Sequence, residues 1–387
     1  MRGYQDLFRT PEFTPFFLTT ALSGLASTMS GLALGTLVHA RTGSPLLSAL
    51  ALFGPSLAHV AGAATLLSAA DRLPPRAAIT ALALLLALGA AVQAAPGLPL
   101  AVAFAVLLGQ GLLAAPGGGV RYGLLNEVLT KQGYLLGRSL LNLSDGAAQL
   151  AGFALGGVLL STLSPQGTLL LGATLHLAAA AVARLGLTAR PPRTTGRPTV
   201  RATWRTNALL WSSAPRRRVY LALWVPNGLI VGCESLFIPY DPRHAGLLLA
   251  CSALGMLAGD LLTGRVLPPG WRPRLGAPLR LLLAVPYLVF ATVPPLPLAL
   301  AAVTLASLGF SASLLLQERL LALTPGALGG HALGLHSSGM LACQGFGALL
   351  AGGLAQQVTP AAAMALLAAA SVAVTLALAP GLRPEGA

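Results

Sequence analysis

Phe13–Ala40 reads FTPFFLTTALSGLASTMSGLALGTLVHA, 28 residues without one Asp, Glu, Lys or Arg. A helix rises about 1.5 Å per residue and the bilayer's hydrocarbon core is about 30 Å thick, so about 20 apolar residues span it. The run is too long for a signal-peptide core and no polar domain follows it, so it reads as a first membrane helix. Eleven further segments fit the same description. In the first half they are Pro45–Ala70, Ala77–Ala95, Leu98–Leu125, Leu135–Leu163 and Gln166–Leu187. In the second half they are Val219–Tyr240, Ala245–Leu262, Ala277–Val293, Leu296–Leu316, Ala332–Gln356 and Ala361–Ala379. Abundant Gly and Ala with few aromatics favour helix-on-helix packing over a barrel.

Composition agrees. Of the 387 residues 55% are apolar and 9% charged, against about 25% charged in soluble domains. A soluble protein of this make-up would expose large apolar patches. The net charge of +14 does not indicate nucleic acid, because the basic residues are scattered over short segments without a recognition motif. Cys233, Cys251 and Cys343 all fall inside apolar runs with no metal-ligand spacing, and read as packing residues.

Loop charge sets the expected orientation. With the N-terminus in the cytoplasm, 22 of the 24 Lys and Arg fall on the cytoplasmic side, Arg121, Arg138, Arg265 and Arg280 counted among them; Arg41 and Arg243 are the exceptions. Retained positive charge produces this bias. The chain is then an all-α integral membrane protein of the cell membrane: an N-terminal six-helix bundle, 1–187; a basic cytoplasmic linker, 188–218; and a C-terminal six-helix bundle, 219–387. Thr188–Arg218 holds eight arginines, several prolines and no acid, and reads as a solvated segment attracted to anionic headgroups. The halves repeat faintly. Asp71 precedes Arg76 by five residues, as Asp260 precedes Arg265, and Gly137, Gly146 and Gly152 share their spacing with Gly330, Gly339 and Gly345. Internal repeats underlie many transporter folds.

With these features in place, the sequence resembles the major facilitator superfamily, and within it the twelve-helix drug-efflux type that includes macrolide exporters and the enterobactin-exporter group. Arg41-Thr42-Gly43-Ser44-Pro45 is similar to a TGSP loop of that group. Asp71-Arg72-Leu73-Pro74-Pro75-Arg76 is similar to the signature between helices two and three, and Thr324-Pro325 with Gly330-His331-Ala332-Leu333-Gly334 to the loop before helix eleven. Three positions depart from the family pattern. Phe153 replaces a proline in the helix-five signature Gly152-Phe153-Ala154-Leu155-Gly156-Gly157, Leu107 stands where helix four carries an arginine before Gln110-Gly111, and Leu67 replaces a glycine four residues before Asp71. The resemblance implies two bundles around a central cavity, a cytoplasmic gate built from Asp71, Arg72, Arg76, Asp260 and Arg265, and ion-driven export.

An ionisable residue inside a span is costly and therefore a candidate for function. Asn142, Asp145, Gln149, Gly152 and Gly156 recur at helical spacing on one face. Asp145 is either a cavity acid that binds a cation or a proton, or a carboxyl paired with Arg138 or held by neighbouring amides. Glu234, with Asn227 two turns earlier, is either a site acid or an acid near the outer interface. Ser23 and Ser27, in a stripe with Thr19 and Ser30, either line a cavity or bond local carbonyls. His59 is either a substrate or proton ligand or a hydrogen-bonded packing residue. Gln110 draws its weight from the family pattern, and Gln344 is expected to face Gln149 across the repeat axis. Pro116-Gly117-Gly118-Gly119 is expected to loosen the end of helix four. Glu318 reads as interfacial.

No phosphate-binding loop, HExxH or GxSxG motif is present. The expected function is therefore not enzymatic. It is secondary transport by alternating access: proton-coupled export of an amphipathic small organic molecule, a drug or siderophore-like metabolite. A metabolite importer or uniporter, or a non-transporting scaffold or sensor, are the alternatives. The expected partners are the small-molecule substrate, membrane lipids and protons, with no cofactor, metal or nucleic acid, and the expected state is a monomer.

Overall fold

The computed structural model describes residues 4–66, 73–192, 200–268 and 270–382. The elements in chain order are α1 (Tyr4–Phe8), α2 (Phe13–Thr42), α3 (Pro45–Leu66), α4 (Pro75–Gln93), α5 (Leu100–Val128), α6 (Lys131–Thr162), α7 (Pro165–Gly186) and α8 (Val200–Ser212). They continue as α9 (Ala214–Ser235), α10 (Phe237–Tyr240), α11 (Ala245–Leu261), α12 (Arg272–Ala284), α13 (Leu296–Leu308), α14 (Ala312–Ala322), α15 (Gly329–Leu354) and α16 (Pro360–Leu378). Among the described residues eleven helices are long and apolar enough to cross a membrane. The 26-residue α15, made more polar by His331, His336, Ser337, Ser338 and Gln344, supplies a further long helix. The protein is thus an all-helical, multi-pass membrane protein of about twelve long helices.

Proline and hydroxyl residues start these helices. Pro75, Pro165 and Pro360 stand in first turns, where a missing N–H leaves no intrahelical bond unmade. The hydroxyls of Thr130, Ser164 and Thr359 each accept a bond from the backbone N–H three residues on. Gly43 (φ 63°) allows α3 to begin two residues after α2 stops. Pro116 removes one backbone donor inside α5, yet the helix runs unbroken from Leu100 to Val128, past the glycines expected to loosen it.

Contacts divide the chain into two compact units. The first comprises Met1–Leu37 and Ala58–Arg197, the second Val38–Leu57 and Pro198–Ala387. In the first, α4 packs along α7 and against α5, and Phe13, Phe16, Leu124, Leu125, Leu141 and Leu187 form a closed apolar cluster. The glycine face of α6 rests on α2: a Cβ at Gly152 would lie 2.7 Å from the Thr28 Cβ, and one at Gly156 3.3 Å from Leu32 Cδ2. Gly157 is half-buried beside them.

In the second unit α9 packs on α15 and α16, and α11 on α13. The first seam is nearly backbone on backbone, since a Cβ at Gly347 would lie 1.9 Å from the Gly228 carbonyl oxygen. Lipid tails solvate leucine as well as another helix does, so close van der Waals approach at small residues is what holds such helices together.

Where it is described, the basic linker also makes specific contacts at its two ends. Arg190 forms a bidentate pair with Glu12 (2.6 and 2.9 Å) and approaches Glu127 at 3.5 Å, and the Thr188 hydroxyl donates to Glu12 at 2.9 Å. At its other end Leu210 is fully buried and Trp211 stacks on Trp224, ring centroids 5.6 Å apart. Asn207 meets His331 at 2.7 Å. Several arginines counted from the sequence as cytoplasmic segment charges sit within helices, among them Arg121 in α5, Arg138 in α6 and Arg280 in α12.

Two predictions follow from packing and charge. Gly347→Val should destabilise the protein by about 2 kcal/mol or more, as overpacking does, whereas Gly353→Ala, which meets open space, should leave stability within about 0.5 kcal/mol. Thermal unfolding of purified protein in detergent measures both. The guanidinium of Arg190 holds the Glu12 carboxyl below its usual range. A depressed carboxylate pKa stabilises above the unfolded value and is lost as pH falls through the folded one. Amide-exchange protection around Thr188 should therefore persist at neutral pH and collapse only below about pH 4, and in Glu12→Gln it should be low throughout.

Candidate functional site

The first unit carries an open cavity of about 680 Å³. One wall is the α2 stripe Thr19, Ser23 and Ser27, with His59 of α3 beside it. Apolar side chains of α4 and α5, among them Ala78, Leu82, Leu86 and Leu113, make most of the rest. Arg121 and Asp145 complete the lining. The chamber is therefore apolar over most of its surface, with one ionic pair, a few hydroxyls and an imidazole. That is the composition of a site for a small organic molecule.

Asp145 is paired, and its partner is Arg121 rather than Arg138. Two hydrogen bonds join the groups, from Nη2 to Oδ2 at 3.0 Å and from Nη1 to Oδ1 at 3.2 Å. Arg121 donates further to the Tyr122 hydroxyl at 3.3 Å and lies over that ring at 5.0 Å. Arg138 lies over the same ring at 5.4 Å. The Tyr122 hydroxyl in turn donates to Asn142 at 3.3 Å. Gly152 follows Asp145 by two helical turns on α6, and a Cβ at Gly24 of α2 would lie only 3.3 Å from the Ala148 Cβ, so the small-residue seam brings the carboxylate against the cavity.

The remaining candidates separate. Ser23, Ser27 and His59 face the cavity, and the His59 ring makes no hydrogen bond among the described residues, unlike a packing histidine held by partners. Thr19 and Thr28 bond carbonyls of their own helix. Asn142 and Gln149 lie on the Asp145 helix but outside the cavity wall. Gln110 sits between α4 and α5, donating to the Leu86 carbonyl at 3.1 Å and accepting from Gln93 at 3.4 Å. Gly89 makes room for it: a Cβ there would lie 2.1 Å from its amide nitrogen.

In the second unit Glu234 is buried, 7% exposed. It accepts the Ser252 hydroxyl, which also meets Ser307 at 3.0 Å, and Tyr287 lies beside it. The Gln344 amide donates to Asn227 at 3.0 Å, so its partner is on α9. Glu318 lies 4.0 Å from Arg272.

Of the gate residues, Asp71 and Arg72 lie outside the described residues. Arg76 donates to the Leu187 carbonyl at 3.4 Å, tying the start of α4 to the end of α7. Asp260 and Arg265 make no ion pair among the described residues, and a π-helical turn, Leu262–Val266, continues α11 past them.

Two features of this geometry are missing from the sequence reading. Arg121 lay inside its own apolar run, Leu98–Leu125, yet was counted with the loops; an opposite charge at similar depth in the next span was the signal for the pair. Ser252 and Ser307 carried no signal, since hydroxyls in spans mostly bond their own helix.

No protein-family model and no curated protein matches the sequence. Solved structures match it in shape. A POT family transporter in complex with 5-aminolevulinic acid superposes with a TM-score of 0.74 at 10% identity, over 95% of this chain and 95% of that one. The nucleoside transporter NupG does so with 0.72 at 14%, over 95% and 99%. The human organic anion transporter MFSD10 (TETRAN) gives 0.64 at 18%, over 96% and 99%. The chain has the fold of these transporters, the major facilitator fold.

The Arg121–Asp145 pair is partly exposed to the cavity, at 27% and 38%. A double-mutant cycle with Arg121→Gln and Asp145→Asn, read by thermal unfolding, should give a coupling energy of about 1 kcal/mol. A cycle with Arg138→Gln in place of Arg121→Gln should give about zero.

Proposed function

We propose that the chain is a secondary transporter of the major facilitator superfamily, exporting an amphipathic small organic molecule by alternating access and driven by protons. The observation that carries this reading is the 680 Å³, largely apolar cavity with a single ionic pair in its wall. Its size suits a drug-sized or siderophore-like solute. The fold supports transport, because the solved proteins that share it are transporters, one of them in complex with 5-aminolevulinic acid and another named for nucleosides. The drug-efflux subgroup and the outward direction rest on the sequence resemblance, and the cytoplasmic placing of both termini on the 22 basic residues.

The bundles 1–187 and 219–387 would alternate about the linker, with Asp71, Arg72, Arg76, Asp260 and Arg265 as the gate. Asp145 is the proposed coupling carboxylate. Protonation would release its charge from Arg121, freeing the guanidinium, and deprotonation would restore the pair. A donor group of the substrate and the proton would then compete for the one carboxylate, which is a simple route to antiport.

The experiment is uptake into proteoliposomes with an imposed pH gradient, screened over a panel that includes macrolides and catecholate siderophores. The wild type should accumulate at least one class. Asp145→Asn should reduce gradient-driven accumulation about tenfold or more while keeping substrate exchange. Gradient-driven transport of wild-type size in Asp145→Asn would remove Asp145 from the coupling step, and no flux of any compound by the wild type would remove the transport reading.

A further inference from the structure

Arg280 is the ninth residue of α12 and lies within the membrane span Arg274–Thr292. It is the largest fully buried side chain of the described residues, 0% exposed. Only Nη2 is engaged, with Ser313 Oγ at 3.0 Å and the Leu223 carbonyl at 3.4 Å. Nε and Nη1 are buried and find no acceptor. Of the five N–H bonds of a guanidinium, the one on Nε and the two on Nη1 thus point at nothing that accepts them.

No acid among the described residues of this unit answers the charge. Glu234 takes the Ser252 hydroxyl, Asp241 pairs with His244 at 2.8 Å, Glu318 lies by Arg272, and Asp260 forms no ion pair. His336 is within electrostatic reach of Arg280, and its own Nδ1 is also buried without a partner. An imidazole cannot serve as a counterion. It can supply a second donor.

A buried guanidinium without an anion is among the costliest arrangements a membrane core can hold, and leucine or methionine would fill the same space at no such cost. The site is nevertheless built with care. Gly309 brings its backbone so close to α12 that a Cβ would lie 2.4 Å from both the Leu279 oxygen and the Leu283 nitrogen, on either side of Arg280 in the chain. Ser313 and Leu223 then fix the guanidinium by one nitrogen, leaving the rest free. Charge-assisted bonds from arginine to oxyanions are strong and directional.

We infer that Arg280, with His336, is an anion-binding site in the second unit, and that the solute handled carries a carboxylate, sulfonate or comparable oxyanion. The inference rests on the transport reading above, which it narrows from amphipathic molecules to amphipathic anions. In the conformation described the guanidinium is sealed, so the anion reaches it when the helices part, as alternating access requires. A headgroup phosphate has the same chemistry; full burial away from the lipid-facing surface favours the solute.

The test is binding to the purified full-length protein by calorimetry, with 2-naphthoate, naphthalene-2-sulfonate and the neutral 2-naphthamide as matched probes. Wild type should prefer the anions by about tenfold or more, Arg280→Lys should keep part of that preference, and Arg280→Gln should lose it. Equal binding of acid and amide by wild type, or an anion preference that survives in Arg280→Gln, overturns the site. Arg280→Met should unfold at the same temperature as wild type or higher, since it removes an uncompensated charge. A lower unfolding temperature would make Arg280 a structural tie and overturn the inference.

Repeating the titration in phosphatidylcholine and phosphatidylglycerol nanodiscs separates the two sources. An anion preference present in both supports a solute site, and one abolished by phosphatidylglycerol assigns the guanidinium to lipid instead. Proteoliposome flux judges the transport reading independently: transport without anion binding at Arg280 removes only this inference, and anion binding without transport removes only the other.

Discussion

A peptide group in hydrocarbon has no water to bond, and everything in this chain follows from that. Each span must satisfy its own backbone, which leaves helices as the only long elements. The helices cannot then be driven together by the hydrophobic effect, since lipid is as apolar as their surfaces. They meet instead where glycine lets backbones touch: Gly228 on Gly347, Gly255 and Gly259 on the carbonyls of Thr304 and Leu308, and Gly152 on Thr28. These seams locate the polar groups as well. Asp145 reaches the cavity because the next turns of α6 carry glycine where they cross α2, and Gln110 enters the α4 interface because Gly89 has no side chain.

How much of this could be read from the chain alone depends on which property was being read. Helix number and extent were legible, because hydropathy over 20 residues is a sum and small errors average out. Breaks were less so: Pro116 and three glycines read as a loosened end, yet α5 passes through them. The carboxylates of the cavity and core, Asp145 and Glu234, were legible because a charge in an apolar run is rare. Their partners were not. The sequence offers Arg138, two turns away on the same helix, or neighbouring amides as partners for Asp145, whereas the bond is to Arg121 across a helix interface. Pairing between helices depends on rotation about each axis, to which sequence spacing is blind.

The positive-inside count contains a related lesson. It treats every arginine near a span end as a loop residue, and the count is high enough that a few charges inside helices do not disturb it. Arg121 and Arg280 are two of these. Both fell within the apolar runs read for their helices, and there an arginine is a candidate for function. Arg190 illustrates the opposite case. It lies in a segment that composition marks as solvated, and it is wired to Glu12 and Glu127 because the end of α7, the start of α2 and the end of α5 converge there.

The two buried arginines are handled differently, and the difference is informative. Arg121 has a carboxylate at 3.0 Å and stands in a cavity, so its charge is balanced in the state described and becomes available only if Asp145 is neutralised. Arg280 has no carboxylate among the described residues and is fully buried, so in the proposed reading its balance would come from a bound anion in some other state. In the proposed cycle, a pair that opens on protonation and a cation that waits for an anion would be complementary devices. One unit would supply the exchangeable proton and the other the standing affinity for a negative solute. Because the cost of the bare Arg280 is greatest while the core is shut and empty, anion binding would relieve it most in the state that exposes the site. That differential affinity between states is what allows a ligand to drive a conformational equilibrium.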